Sequence, residues 1–171
     1  MIYSKWINLT LSLFKMSEKI NVLFVCLGNI CRSPMAEAVF AHTVKKKGLE
    51  SQFRIDSAGT AGFHVGASSD YRSAQTCKQH GIIIDHYARQ VVTQDFGEFD
   101  YILCMDKSNL ADLKDMQPKG SKAIIKLFGE YDPQGEHIIR DPYYGGIDGF
   151  EKNFQQVTRS SEAFIKSLNL E

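Results

Sequence analysis

Four short apolar runs constrain this chain most: NVLFVC (21–26), FRIDSA (53–58), YILCM (101–105) and AIIKLF (123–128). Each is of strand length, rich in β-branched or aromatic residues, and reads as a strand buried on both faces. Helix-like segments separate them. Ser33 is positioned to cap a helix with Pro34 at its first position, and KKKG (45–48) supplies a basic last turn and a stop. A second helix is expected from about Ser69 to His80, ended by Gly81, and Asp106 is positioned to cap a third that packs Leu110 and Leu113. In the last helix Ile147, Phe150, Phe154, Val157, Ser161, Phe164 and Leu168 recur at intervals of three and four. Asp148 followed by Glu151 resembles a capping box, and the apolar face is read as core. Strand–helix alternation predicts a single three-layer α/β domain, a four-stranded parallel sheet flanked by helices with right-handed crossovers. No repeat, linker or low-complexity segment interrupts it.

A chain of 171 residues fits one such domain without disulfide or metal staples. Lys+Arg and Asp+Glu are equal at 20 each, which argues against nucleic acid or an anionic membrane as partner, since both require clustered positive charge. Cys26, Cys31, Cys77 and Cys104 are irregularly spaced, as in a cytosolic protein with reduced thiols. The domain is assigned to residues 19–171 and a nonessential extension to residues 1–18, with Met16 as the functional start. In MIYSKWINLTLSLFK one lysine precedes a short apolar run, but Asn8, Thr10 and Ser12 interrupt it and no small-residue cleavage site follows. The run is too short to span a bilayer. A peripheral docking segment and a targeting signal are the alternatives.

In parallel sheets, ligands bind beyond the carboxyl ends of strands, near a switch in strand order. Cys26 closes the first strand, and the turn LGNICR leads to the Ser33-Pro34 helix start. Loop N–H groups and a helix N-terminus then face one spot, which is an anion site. Gly28 permits a positive φ, Asn29 tolerates the left-handed region, and Arg32 adds a planar fork of donors suited to two phosphate oxygens. The same field favours thiolate over thiol at a neighbouring cysteine. A bare Cys-x5-Arg also fits a buried strand-end cysteine beside a solvated arginine. The strand placement, Gly28, Asn29 and the Ser-Pro start favour the anion site. Cys26-x4-Cys31 lacks a second ligand pair at zinc-finger spacing, and the P-loop nucleotide pattern is absent. No metal or cofactor is expected. On its own, DPYYGG (141–146) reads as a turn bearing surface aromatics.

CLGNICRSPMAE (26–37), IDSAGT (55–60), HGI (80–82), ARQ (88–90), FDYILCMD (99–106) and DPYYG (141–145) together resemble the low-molecular-weight protein tyrosine phosphatases. The likeness runs from about residue 20 to the C-terminus. The family's fold is a four-stranded parallel sheet flanked by helices, in agreement with the pattern above. The resemblance implies a metal-independent, cytoplasmic phosphatase acting on phosphotyrosine in proteins and on small aryl phosphates, as a monomer or weak homodimer. It implies Cys26 as the nucleophile that forms a phosphocysteine, and Asp141 as general acid and then base. Arg32 and the N–H groups of Leu27, Gly28, Asn29, Ile30 and Cys31 would bind the phosphoryl oxygens. Asn29, Ser33, Ser57 and His80 would hold the loop, and Phe63, Tyr143 and Tyr144 would form the substrate rim. Many relatives carry tryptophan at Phe63, and often Asp-Pro-Arg where this chain has Asp70-Tyr71-Arg72. Cys31 could protect Cys26 through a reversible disulfide, or serve as a packing residue.

Three rivals fit less well. Arsenate reductases share the fold but need two further cysteines close together, whereas Cys77 and Cys104 are far apart. Protein-arginine phosphatases favour threonine where Ile30 stands. A noncatalytic phosphate-binding module would have no use for Asp141 beside Cys26 and Arg32.

Overall fold

The computed structural model describes residues 18–170, so the extension expected at 1–18 lies outside the described residues apart from Glu18. Strands β1 (Ile20–Cys26), β2 (Phe53–Gly59), β3 (Tyr101–Cys104) and β4 (Ile124–Leu127) form one parallel sheet in the order β2-β1-β3-β4. The longer helices are α1 (Arg32–Lys46), α2 (Tyr71–Gln79), α3 (Lys107–Met116) and α4 (Ile147–Ser167). The chain adds β2 on one side of β1 and then crosses to add β3 on the other. The switch point therefore lies beyond the carboxyl end of β1, where Cys26 sits.

Alternation along β1 divides the core into two layers. Val22, Phe24 and Cys26 join the cluster built with Phe40 of α1 and Phe150 and Phe164 of α4. Leu23 and Val25 pack on the opposite side with Phe96, Phe99 and Leu113. Phe24 lies 5.3 Å from the Phe40 ring and 4.9 Å from that of Phe128, tilted in both pairs as ring quadrupoles favour. Fully burying a side chain of that size stabilises by roughly 1.5–3 kcal/mol, which anchors the strand that carries Cys26.

Two expectations need correction. The outer strands are not buried on both faces: Arg54 on β2 is exposed and Ile124 on β4 is 48% exposed, because each strand has a neighbour on one side only. The box expected at Asp148 and Glu151 does not form. Gly146 is the N-cap of α4 without a side-chain bond, and Glu151 turns to His80 instead. The helix face expected to be core is buried at Phe150, Phe154, Val157, Ser161 and Phe164, while Ile147 at its start is 53% exposed. Asp106 caps α3 as expected, accepting from the Asn109 N–H at 2.9 Å.

Candidate active site

The turn between β1 and α1 is held from outside. The carbonyl oxygens of Cys26 and Leu27 accept from the N–H groups of Thr60 and Ala61, both at 2.9 Å. Those of Ile30 and Cys31 accept from the Asp70 N–H and the Ser73 Oγ, both at 2.8 Å. A trans peptide sets each N–H opposite its carbonyl. The N–H groups of Leu27, Gly28, Cys31 and Arg32 are thereby turned away from those partners, toward the inside of the loop. That arrangement, leading into a helix N-terminus, is a concave nest suited to an anion.

The left-handed residue of the turn is Asn29, with φ of 55°, and not Gly28. Asn29 is 1% exposed and all its side-chain capacity is used. Its Nδ2 donates to the Oγ atoms of Ser33 and Ser57 at 2.8 and 3.0 Å, and its Oδ1 accepts from the Arg89 N–H at 2.9 Å. Gly28 serves a different need, because a Cβ there would stand 2.9 Å from the His64 ring.

Cys26 is 3% exposed, and its Sγ lies 3.1 Å from Ser33 Oγ and accepts from the Asn29 N–H at 3.3 Å. Ser33 is thus spent on the sulfur and not on a helix cap: α1 starts at Arg32, with Cys31 at the N-cap and no side-chain cap bond. Burial pushes the Cys31 thiol up to about 12, with Asp70 and Cys26 adding to the effect.

Arg32 is almost wholly buried, and its fork is bonded on both arms. Nη1 donates to Asp106 Oδ2 at 2.6 Å and to the Ile139 carbonyl at 3.2 Å, and Nη2 donates to Asp141 Oδ2 at 3.1 Å. Burial alone would weaken its hold on the proton, but negative charge at Cys26 and the bond to Asp106 outweigh that and push Arg32 upward. The second oxygen of Asp141 accepts from the Tyr143 N–H at 3.1 Å. The loop bearing Asp141 is seated on α4, where Asn153 Nδ2 donates to the Arg140 carbonyl at 3.1 Å. A Cβ at Gly149 would come within 3.1 Å of Pro142.

One pocket gathers Cys26, Arg32, Asp141 and the loop residues Leu27, Gly28, Ile30 and Cys31. Phe63, Tyr143 and Tyr144 line its mouth, with Phe63 78% and Tyr144 96% exposed. His64 lines it as well. Ser57 stands behind the loop, bonded to Asn29.

His80 does not join this group. Its Nε2 lies 3.0 Å from Glu151 and its ring stacks on Phe154 at 3.9 Å, on the face between α2 and α4. The imidazole behind the loop belongs to His86. Its Nε2 lies 2.7 Å from Asn29 Oδ1 and its Nδ1 lies 3.0 Å from Glu37. The Arg89 N–H establishes that Oδ1 is the acceptor end of Asn29, so both ring nitrogens of His86 face acceptor oxygens. Glu37 also accepts from Ser57 Oγ at 2.6 Å. Glu37, Asp56 and His86 group their ligand atoms within 4.8 Å, but Asp56 is paired with Arg89 and the other two are engaged in this network. Arg89 lies within the ARQ stretch that carries part of the resemblance and His86 two residues before it, the one signal that pointed here. Glu37 and the second role of Asp106 had none beyond their inclusion in quoted stretches.

A family model described as low molecular weight phosphotyrosine protein phosphatase matches residues 21–171. The low molecular weight phosphotyrosine protein phosphatase of Saccharomyces cerevisiae is 53% identical over 152 residues, covering 86% of this chain and 94% of its own length. The crystal structure of a protein tyrosine phosphatase from Entamoeba histolytica superposes with a TM-score of 0.85 at 38% identity, over 88% of this chain and 97% of that one. An arginine phosphatase of Drosophila superposes with a TM-score of 0.83 at 40% identity, over 88% and 98%.

Proposed function

The chain belongs to the low molecular weight phosphotyrosine protein phosphatase family, and from that premise we propose that it hydrolyses protein phosphotyrosine through a phosphocysteine on Cys26. The observation that carries the mechanism is the meeting of Cys26, Arg32 and Asp141 at one pocket that Leu27, Gly28, Ile30 and Cys31 of the turn also line.

The Cys26 thiolate attacks phosphorus as the phosphoester bond breaks, and Asp141 gives its proton to the departing tyrosine oxygen. Asp141, then ionised, takes a proton from the water that attacks the phosphocysteine, which releases phosphate and restores the thiolate. The loop amides and Arg32 stabilise the equatorial oxygens in both steps. A well-placed donor of this kind is typically worth about 3–4 kcal/mol in the transition state. Asp106 and the Ile139 carbonyl hold Arg32 in plane, and Ser33 with the Asn29 N–H stabilises Cys26 as nucleophile and as leaving group. Phe63, Tyr143 and Tyr144 are apolar walls for the substrate ring. The same reading assigns phosphotyrosine proteins as partners and a reducing, cytoplasmic setting, which suits a thiol nucleophile and the free state of all four cysteines.

The test is hydrolysis of a phosphotyrosine peptide in the presence of a chelator, with phosphoarginine run alongside. Turnover of the first alone, abolished in Cys26→Ser and slowed roughly 10²–10⁴-fold in Asp141→Asn, is the expected result. Full activity of Cys26→Ser would overturn the mechanism, and a preference for phosphoarginine would overturn the substrate.

A further inference from the structure

We propose that Arg72 is a positioning residue for the general acid, holding Tyr143, the residue whose N–H holds Asp141, and tying the acid loop to the phosphate loop. The proposal rests on Asp141 being that acid.

Arg72 makes three kinds of contact. Its Nε and Nη2 donate to the two oxygens of Asp70 at 3.0 and 2.9 Å, closing a bidentate fork across the first turn of α2. Its Nη1 donates to the carbonyl of Tyr143 at 3.0 Å. Its guanidinium lies 4.7 Å over the Phe150 ring and 5.4 Å from the Tyr143 ring. A salt bridge that only stabilised α2 would need the first contact alone. The bond to Tyr143 reaches 71 residues along the chain, to a loop with no regular structure of its own.

Tyr143 is the link. Arg72 holds its carbonyl, and its N–H donates to Asp141 Oδ1. The other end of the connection is equally direct, since the Asp70 N–H and Ser73 Oγ hold the carbonyls of Ile30 and Cys31 in the phosphate loop. The first turn of α2 therefore touches both loops that meet the substrate, and Arg72 is the side chain that reaches the acid. Phe150 is fully buried, so the stacked guanidinium is referenced to the core and not to a mobile rim. A lysine could satisfy Asp70 or Tyr143, but it has neither the fork nor the plane.

Displacing a proton donor matters most when the leaving group needs the proton. The experiment compares kcat/KM for phenyl phosphate, a poor leaving group, with that for dinitrophenyl phosphate, which departs as a stable anion. Arg72→Met and Arg72→Lys should lower the phenyl phosphate value by roughly 10- to 100-fold and the dinitrophenyl value by less than about 3-fold. Adding Arg72→Met to Asp141→Asn should cost phenyl phosphate turnover nothing more. Equal losses on both substrates, additive losses in the double variant, or a wild-type ratio in Arg72→Lys would overturn the proposal. Thermal unfolding is followed in parallel, and Arg72→Lys, which keeps a charge beside Asp70, carries the comparison if Arg72→Met unfolds. A leaving-group-dependent loss in Asp141→Asn without one at Arg72 defeats this proposal alone. Its absence in Asp141→Asn defeats the acid assignment beneath it.

Discussion

Asp106 and Arg32 are joined at 2.6 Å through the carboxylate oxygen that α3 does not use. One oxygen caps the helix and the other holds the guanidinium, so a single residue builds local structure and orients the Arg32 fork at the pocket. Asparagine keeps the cap and removes the charge. Asp106→Asn should lower kcat/KM on a phosphotyrosine peptide roughly 10- to 100-fold, the scale of one charge-assisted hydrogen bond, and lower stability by about 1–3 kcal/mol because buried Arg32 loses an acceptor. Asp106→Ala should add about 1 kcal/mol of destabilisation by removing the cap, measurable in urea.

Asn29 combines a left-handed backbone with bonds to four groups. Asn29→Gly keeps the backbone and loses the bonds, whereas Asn29→Ala loses both. Unsatisfied partners cost about 1–3 kcal/mol each, so either variant should be destabilised by several kcal/mol, with alanine about 1 kcal/mol worse. Equal urea midpoints for the two would show that the left-handed turn is not retained.

The two histidines should separate cleanly. His86→Ala removes the bridge between Asn29 and Glu37 and should lower both stability, by about 2 kcal/mol, and kcat/KM, by roughly 10-fold. His80→Ala removes a partly exposed pair with Glu151 and a stack on Phe154, and should leave kcat/KM within about 2-fold. Steady-state kinetics on the two variants decide it.

Burial raises the thiols of Cys31, Cys77 and Cys104 from an ordinary 9.0 to about 12 each. At neutral pH these three are protonated, so iodoacetate should label Cys26 first, with inorganic phosphate protecting it, as peptide mass spectrometry would show. The raised values also set an alkaline limit. Between pH 9 and 12 the unfolded chain has released protons that the native chain keeps, so stability falls as pH rises. Each thiol contributes up to about 1.4 kcal/mol per pH unit there. Cys104→Ala should flatten the decline of unfolding temperature with pH.

The sheet, the Cys26 turn and the Asp106 cap were legible because each depends on near neighbours in sequence. Strand periodicity, a capping aspartate and a Ser-Pro start all act within a few residues. Ser33 shows the limit: its type and position suit a cap, and only the placement of Cys26 in three dimensions turns its hydroxyl to the sulfur. His80 and His86 show the other limit. Both follow the second helix, and which one faces the loop depends on how the segment after Gly81 folds back along Gly59, where Gln90 forms a parallel bridge. The roles of Glu37 and Arg72 require partners far along the chain, such as His86 and Tyr143, that no local pattern announces.

The mouth of the pocket has a consequence for how such an enzyme can diversify. Phe63 and Tyr144 contribute almost nothing to the core, whereas Asn29, Arg32 and Ser33 are locked into it. Substitutions at the first pair should change stability by no more than about 0.5 kcal/mol, the usual range for exposed positions. New substrate preferences can therefore be explored there by mutation without eroding the fold or the reaction, which makes the rim the evolvable part of the molecule and the turn beneath it the inherited one.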